Sequence, residues 1–253
     1  MKKLIPALVI AALAFNSCTK ENATTPEINN ISTERKALFL KFGSTTCGIC
    51  NSHEPSLKTF YGKYPYTVIP ISVLQDMTTT TDISWQYTYS GIPAYTEGTY
   101  SVFDTVTTKD LAITNATATV GTKADIGVGM KVTVSGTTAT INLTTAAFKD
   151  MSGTYNVCVY AIEDAVDVSA VSGNPGETRD HVYRGAANNL VWGMPIAASF
   201  AKGEKKDYTM TYNLGTQGTN YNDAAKMRYV AVIYKMENGR GVEVINCNSA
   251  SAK

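Results

Sequence analysis

Apolar positions form compact runs in the first part of the chain and period-two strings in the second, and the change falls near residue 122. Lys36 to Phe42 (KALFLKF) is a compact apolar run typical of a buried strand, and Gly43 to Thr46 break it. From Cys50 to Tyr64, the residues Leu57, Phe60, Tyr61 and Tyr64 recur every three or four positions, which predicts a helix closed by Pro65. Tyr66 to Leu74 (YTVIPISVL) reads as a second strand, although Pro70 lacks the N–H that a ladder requires. Ile83 to Tyr89 reads as a short helix. A β-α-β string with a second helix is an α/β unit.

Past residue 122, period-two strings predict strands at Ile126 to Val134, Thr138 to Thr145, Thr154 to Glu163, Tyr208 to Leu214, Arg228 to Lys235 and Gly241 to Asn246. Ser135-Gly136 and Asn238-Gly239 stand between such strings, where glycine supplies the positive φ of a tight hairpin. The expectation is an all-β sandwich, immunoglobulin-like or jelly-roll-like, after the α/β unit. The 34 Thr and 15 Tyr fit that β bias. With 22 basic against 21 acidic side chains and no Lys/Arg block, nothing supplies the basic face that nucleic acid requires.

The N-terminus carries Lys2 and Lys3 before an apolar run from Leu4 to Phe15, the charged and hydrophobic regions of a secretory signal. The run is shorter than the ~18 residues of a membrane span. Cys18 follows Ser17, as in a bacterial lipoprotein cleavage box, so the expected organisation is a signal peptide at 1–17 and a lipid-anchored flexible tether at 18–33. An N-terminal domain at 34–122 and a sandwich at 123–253 complete it. Membrane contact runs through the lipid on Cys18.

Cys47-Gly48-Ile49-Cys50 follows a strand and opens a helix. There the helix dipole and free N–H groups stabilise a thiolate, which makes Cys47 the attacking thiol. Cys50 is placed to resolve a mixed disulfide. Such a pair carries its own electrons, so no cofactor is required, and the partners are extracytoplasmic proteins with cysteines of their own. The alternative is a structural disulfide in an oxidising compartment. A zinc site would have only Cys47, Cys50 and His53 where four ligands are wanted, so no metal is expected. Cys158 and Cys247 could bond to each other, or Cys158 could be a buried thiol in its apolar run.

The CxxC pair, Pro55 five residues after Cys50, and Gly91-Ile92-Pro93 together resemble the thioredoxin-like superfamily. That resemblance implies a thioredoxin-like N-terminal domain, a cis Pro93 facing the disulfide, and Ile92 and Pro93 holding a partner's backbone. Thr46 stands where many members have Trp, and Lys41 where thioredoxin has a buried Asp. With His53 and Glu54 on the first turns of the helix, these are the residues that would tune the thiols. A second resemblance spans nearly the whole mature chain. Asp180 to Ala186 (DHVYRGA), followed by Val191 to Ile196 (VWGMPI), is similar to the signature of the Omp28-type outer membrane lipoproteins. It implies an outer-membrane address and a thioredoxin-like half joined to a β-rich half. His181 and Arg184 read as part of a loop against Trp192, with Arg stacking on indole, and the alternative is binding of an anion or a peptide carboxylate. The reading that follows is a lipid-anchored thiol-disulfide oxidoreductase. The alternative is a binding or scaffold lipoprotein.

Overall fold

The computed structural model describes residues 28, 30–77, 98–102, 105–196, 198–217 and 220–252, of which 50% are strand and 19% helix. The elements are β1 (Ala37–Gly43), α1 (Gly48–Lys63), β2 (Val68–Leu74), β3 (Thr99–Val102), β4 (Thr105–Thr107), α2 (Lys109–Thr119), β5 (Ile126–Ser135), β6 (Thr138–Ala147), β7 (Met151–Ser152) and β8 (Tyr155–Glu163). They continue with β9 (Val166–Asp167), α3 (Ser169–Ser172), β10 (Thr178–Arg179), β11 (Val182–Ala186), β12 (Met194–Pro195), β13 (Ser199–Phe200), β14 (Lys205–Asn213), β15 (Met227–Glu237) and β16 (Arg240–Ser251). Among the described residues, no helix is long and apolar enough to cross a membrane.

The expected α/β thioredoxin-like domain followed by an all-β sandwich is not what the chain builds. A single mixed sheet runs in the order β16-β15-β8-β11-β2-β1-β3-β4, so strands from both halves share one ladder. The joining strand is β11, which pairs in parallel with β2 at Ser72 and antiparallel with β8. It carries the Val182 to Ala186 string that the sequence suggests is a loop. Five residues with an interior Arg and Gly, and a register shift between Tyr183 and Gly185, hide its strand character.

The sheet curls until the entry to β1 meets β16. Arg35 donates from Nε to the Ile245 carbonyl at 3.2 Å and from Nη2 to that of Val244 at 3.1 Å. The Lys36 N–H donates to Asn246 Oδ1 at 3.0 Å. Leu38, Leu40 and Phe42 of β1 thereby share one buried cluster with Ile69, Ile71, Tyr160, Val230 and Val232. Alternate residues Ala37 and Phe39 face the other way, onto Leu57 and Phe60 of α1 and Ala112 and Ala116 of α2. Both faces of β1 are therefore covered, which is why its sequence is a continuous apolar run. Pro70 is tolerated in β2 because Ser72 is the residue that pairs with β11. The N–H of Ser72 reaches the His181 carbonyl at 2.7 Å, and Pro70, two residues earlier on the same side, faces no strand.

A second sheet, β14-β6-β5, packs on the face of β8 and β15 opposite the curl. Ile126, Val128, Ile141 and Leu143 meet Val157, Val159, Tyr229 and Ile233 there. Asn238 and Gly239, with φ of 51° and 78°, make the two-residue turn from β15 into β16. The last part of the expected tether is docked: Asn30 exchanges hydrogen bonds with the main chain of Met130, donating at 3.1 Å and accepting at 3.0 Å. Ile28 is buried as well. The signal peptide, Cys18, the 83–89 helix, Ile92 and Pro93 lie outside the described residues.

Candidate functional site

Gly43 ends β1 beside Cys50 in the first turn of α1. A Cβ at this position would stand 2.6 Å from Cys50 Sγ, so glycine lets the helix seat against the strand. The turn that follows is fixed by the Cys47 N–H donating to the Ser44 carbonyl at 3.3 Å. Cys47 is the N-cap of α1, and its Sγ accepts the Cys50 N–H at 3.1 Å. Cys47 and Cys50 are joined in a disulfide. Both cysteines are only 2% exposed, whereas Ile49 between them is 55% exposed. The surface of the motif is thus Thr46, Gly48 and Ile49, with the sulfurs beneath it.

The flanking backbone is clamped from two sides. Asp76, beyond β2, accepts the Thr45 N–H at 3.1 and 3.0 Å and the Thr45 hydroxyl. Arg179, from β10, donates through Nη2 to the Thr45 carbonyl at 3.2 Å and to Asn51 Oδ1 at 2.6 Å. Its guanidinium also pairs with Glu177 at 2.6 Å. Hydrogen bonds from Ser172 and Asn174, and then from Arg179, hold the Glu177 carboxyl down at about 2, so it is ionised at neutral pH. Between these walls lies a polar cleft of about 240 Å³, lined by Asn51, Glu54 and Lys58 on one side and Glu177, Arg179 and Asp180 on the other. Sequence reasoning does not find Asp76 or Arg179. Their partners are 31 and 134 residues away, and no motif links them.

Lys41 and Glu54 form a largely buried ion pair one helical turn past Cys50. His53 Nδ1 lies 2.8 Å from the Tyr100 hydroxyl, and burial, with Glu54 nearby, pushes the Tyr100 phenol up. These residues brace α1 on the sheet. Thr46 is exposed, and its hydroxyl lies 3.3 Å from that of Ser44. Cys158 and Cys247 are free buried thiols, each pushed up to about 12 by burial. Both are paired across to Val232 of the intervening strand, so two strand spacings separate them, roughly 9.5 Å where a disulfide tolerates at most about 7 Å between Cα atoms.

The Val182 to Ala186 strand and the 191–196 string both pair with β8, as β11 and β12. Arg184 Nε donates to Glu163 Oε2 at 2.9 Å, and Nη2 lies 2.8 Å from the same oxygen, so the guanidinium is committed to Glu163. Trp192 packs edge-on against Tyr234, with ring centroids 5.0 Å apart. His181 Nδ1 lies 2.6 Å from Asp164 Oδ1, and Arg228 Nε 2.7 Å from Oδ2. Gly193 has φ of 69°, and a Cβ there would come within 2.1 Å of the Val157 carbonyl oxygen, so this tight return needs glycine.

The family model for the outer membrane protein Omp28 matches residues 82–253, which include these strings. The chain belongs to the Omp28 outer membrane protein family. Omp28 membership gives the protein an outer-membrane address. Among solved structures, HBP35 of Porphyromonas gingivalis is 15% identical with a TM-score of 0.68, over 87% of this chain and 76% of that one. AGR_C_4864 from Agrobacterium tumefaciens is 10% identical with a TM-score of 0.55, over 88% and 96%. These two share the fold. A domain of the outer membrane lipoprotein Omp28 from P. gingivalis matches 51% of this chain and 89% of its own, at 18% identity and a TM-score of 0.35. No curated protein matches the chain.

Proposed function

We propose that this Omp28 protein is a non-enzymatic binding or scaffold lipoprotein of the outer membrane, anchored through lipid on Cys18, in which Cys47–Cys50 is a structural disulfide. The observation that carries the reading is the burial of both sulfurs beneath a turn tied to Asp76 and Arg179. Attack on a disulfide needs a thiolate in line with an accessible sulfur. The cleft beside α1 offers binding groups of both charges. The test is insulin reduction by dithiothreitol with the purified chain as catalyst. The expected result is no acceleration over the uncatalysed rate, for the wild type and Cys47→Ser alike. Acceleration by the wild type that Cys47→Ser abolishes would replace this reading.

The replacement would be thiol-disulfide exchange with extracytoplasmic cysteine-containing proteins, Cys47 attacking, Cys50 resolving, and Ile92 and Pro93 holding the partner's backbone. One feature favours it: Cys47 caps α1 and its sulfur accepts an N–H, an arrangement that stabilises a thiolate after reduction. A Cys50→Ser variant that accumulates mixed disulfides in the cell envelope would establish it.

A further inference from the structure

We propose that Arg179 couples the oxidation state of Cys47–Cys50 to the seating of residues 164–181 on α1, which makes the neighbouring cleft redox-dependent. The segment between β8 and β11 leaves the sheet, forms β9, α3 and β10, and returns. Val166 and Val168 pack it onto Leu74 at the end of β2. Among the described residues, Arg179 ties it to the disulfide turn, while Lys58 with Asp180 and Tyr61 with His181 hold it further along α1. Arg179 is 7% exposed, and a single nitrogen, Nη2, reaches acceptors on both sides of the disulfide: the Thr45 carbonyl two residues before Cys47 and the Asn51 amide oxygen one residue after Cys50. Two acceptors six residues apart in sequence converge on that nitrogen across the turn that the disulfide spans, together with the Asp76 bonds to Thr45 and the first helical bond from Asn51 to Cys47. Charge-assisted hydrogen bonds of this kind are strong and demanding of geometry.

A small dithiol that reaches the sulfurs during transient opening of the turn breaks the Cys47–Cys50 bond and forms one S–S bond in the reductant. Two electrons and two protons pass to the protein, leaving two thiols. The turn loses its covalent closure and is left to the Asp76 bonds and the first turn of α1, so the Thr45 and Asn51 acceptors hold their common position less firmly and the Arg179 contact weakens. Arg179 keeps Glu177 and the Thr178 carbonyl, partners on its own segment, so release does not strand its charge. The cleft has Asn51 on one wall and Glu177, Arg179 and Asp180 on the other, so it changes shape when the walls part. Coupling is reciprocal: if reduction weakens the Arg179 contact, removing the contact makes reduction easier by the same factor. The coupling requires no catalysis, so it stands or falls independently of the insulin assay.

The experiment uses the full chain in detergent, equilibrated in reduced and oxidised dithiothreitol, with thiol counting to confirm the oxidation state. Amide exchange across 164–181 is expected to quicken about tenfold on reduction, the worth of roughly one charge-assisted hydrogen bond. In Arg179→Gln, exchange there is expected to be fast in both states, and the reduction equilibrium to shift about tenfold toward the dithiol. Asn51→Ala, which removes one acceptor and leaves Arg179 paired with Glu177, is expected to shift both readouts in the same direction by less, and serves if the Arg179 variant does not fold. Unchanged exchange in a chain shown to be fully reduced would overturn the coupling. So would an unshifted reduction equilibrium in the folded variants.

Discussion

Arg184→Met tests whether β11 makes one folding unit of the two halves. Glu163 is fully buried, and its carboxylate receives Arg184, the Asn222 N–H at 2.9 Å and the Asp223 N–H at 2.6 Å. Methionine keeps much of the arginine's volume but leaves the carboxylate without its counter-charge. Removing one partner of a buried pair costs about 3–5 kcal/mol, and the two remaining N–H donors put the expected loss near the lower end, at about 3 kcal/mol. For a chain of this size that is a fall in Tm of roughly 6–12 °C. Urea melts by circular dichroism would give the free energy, and amide exchange would report β1 and β15 separately. Because β2, β11 and β8 are consecutive in one sheet, protection of both strands is expected to fall together. Glu163→Gln added to Arg184→Met is expected to cost less than the sum of the single changes, because the unpaired charge is gone. A loss below about 1 kcal/mol, or a β1 that keeps its protection while β15 opens, would refute the reasoning.

Gly193→Ala is expected to destabilise by about 3 kcal/mol or more in denaturant melts, since the new Cβ meets the Val157 carbonyl and the backbone sits at positive φ. Replacing both Cys47 and Cys50 with Ser should cost about 2 kcal/mol, the closure entropy of a four-residue loop, measured by the same melts. Cys158 and Cys247 are expected to resist iodoacetamide at pH 8 in the native protein and both to react in denaturant without reductant. Silence in denaturant would mean that they are bonded. The Asp164 carboxyl is held at about 2: burial pushes it up, but His181 and Arg228 outweigh burial. A depressed carboxyl stabilises fully above its unfolded value near 4 and loses that effect as pH falls through about 2. Asp164→Asn should therefore flatten the stability slope between pH 4 and pH 2, by no more than about 2 kcal/mol given its partial exposure.

Local order was legible wherever one stretch of chain decides it. The runs at 36–42 and 66–74, the period-two strings beyond 122, the Asn238-Gly239 turn and the helix opening at the CxxC motif correspond to β1, β2, the long C-terminal strands, a two-residue hairpin and α1. Their signals are side-chain periodicity and backbone permissiveness, which neighbours in sequence carry by themselves. The 181–196 strings pointed to the family and so to the outer membrane.

Tertiary structure decided how those pieces combine. β11 is too short and too polar to announce itself, yet its ladders to β2 and β8 merge what the sequence presents as two domains. Cys158 and Cys247 look like partners in a list of cysteines and are kept apart by the strand between them. Arg179 and Asp76 reach the disulfide turn only because the sheet brings distant segments together beyond the C-terminal ends of β1 and β2. Periodicity reports which face of an element is buried, but not against what. Strand order and the partners of a buried charge are set by contacts between segments that lie from 13 to more than 130 residues apart, which a one-dimensional pattern does not encode.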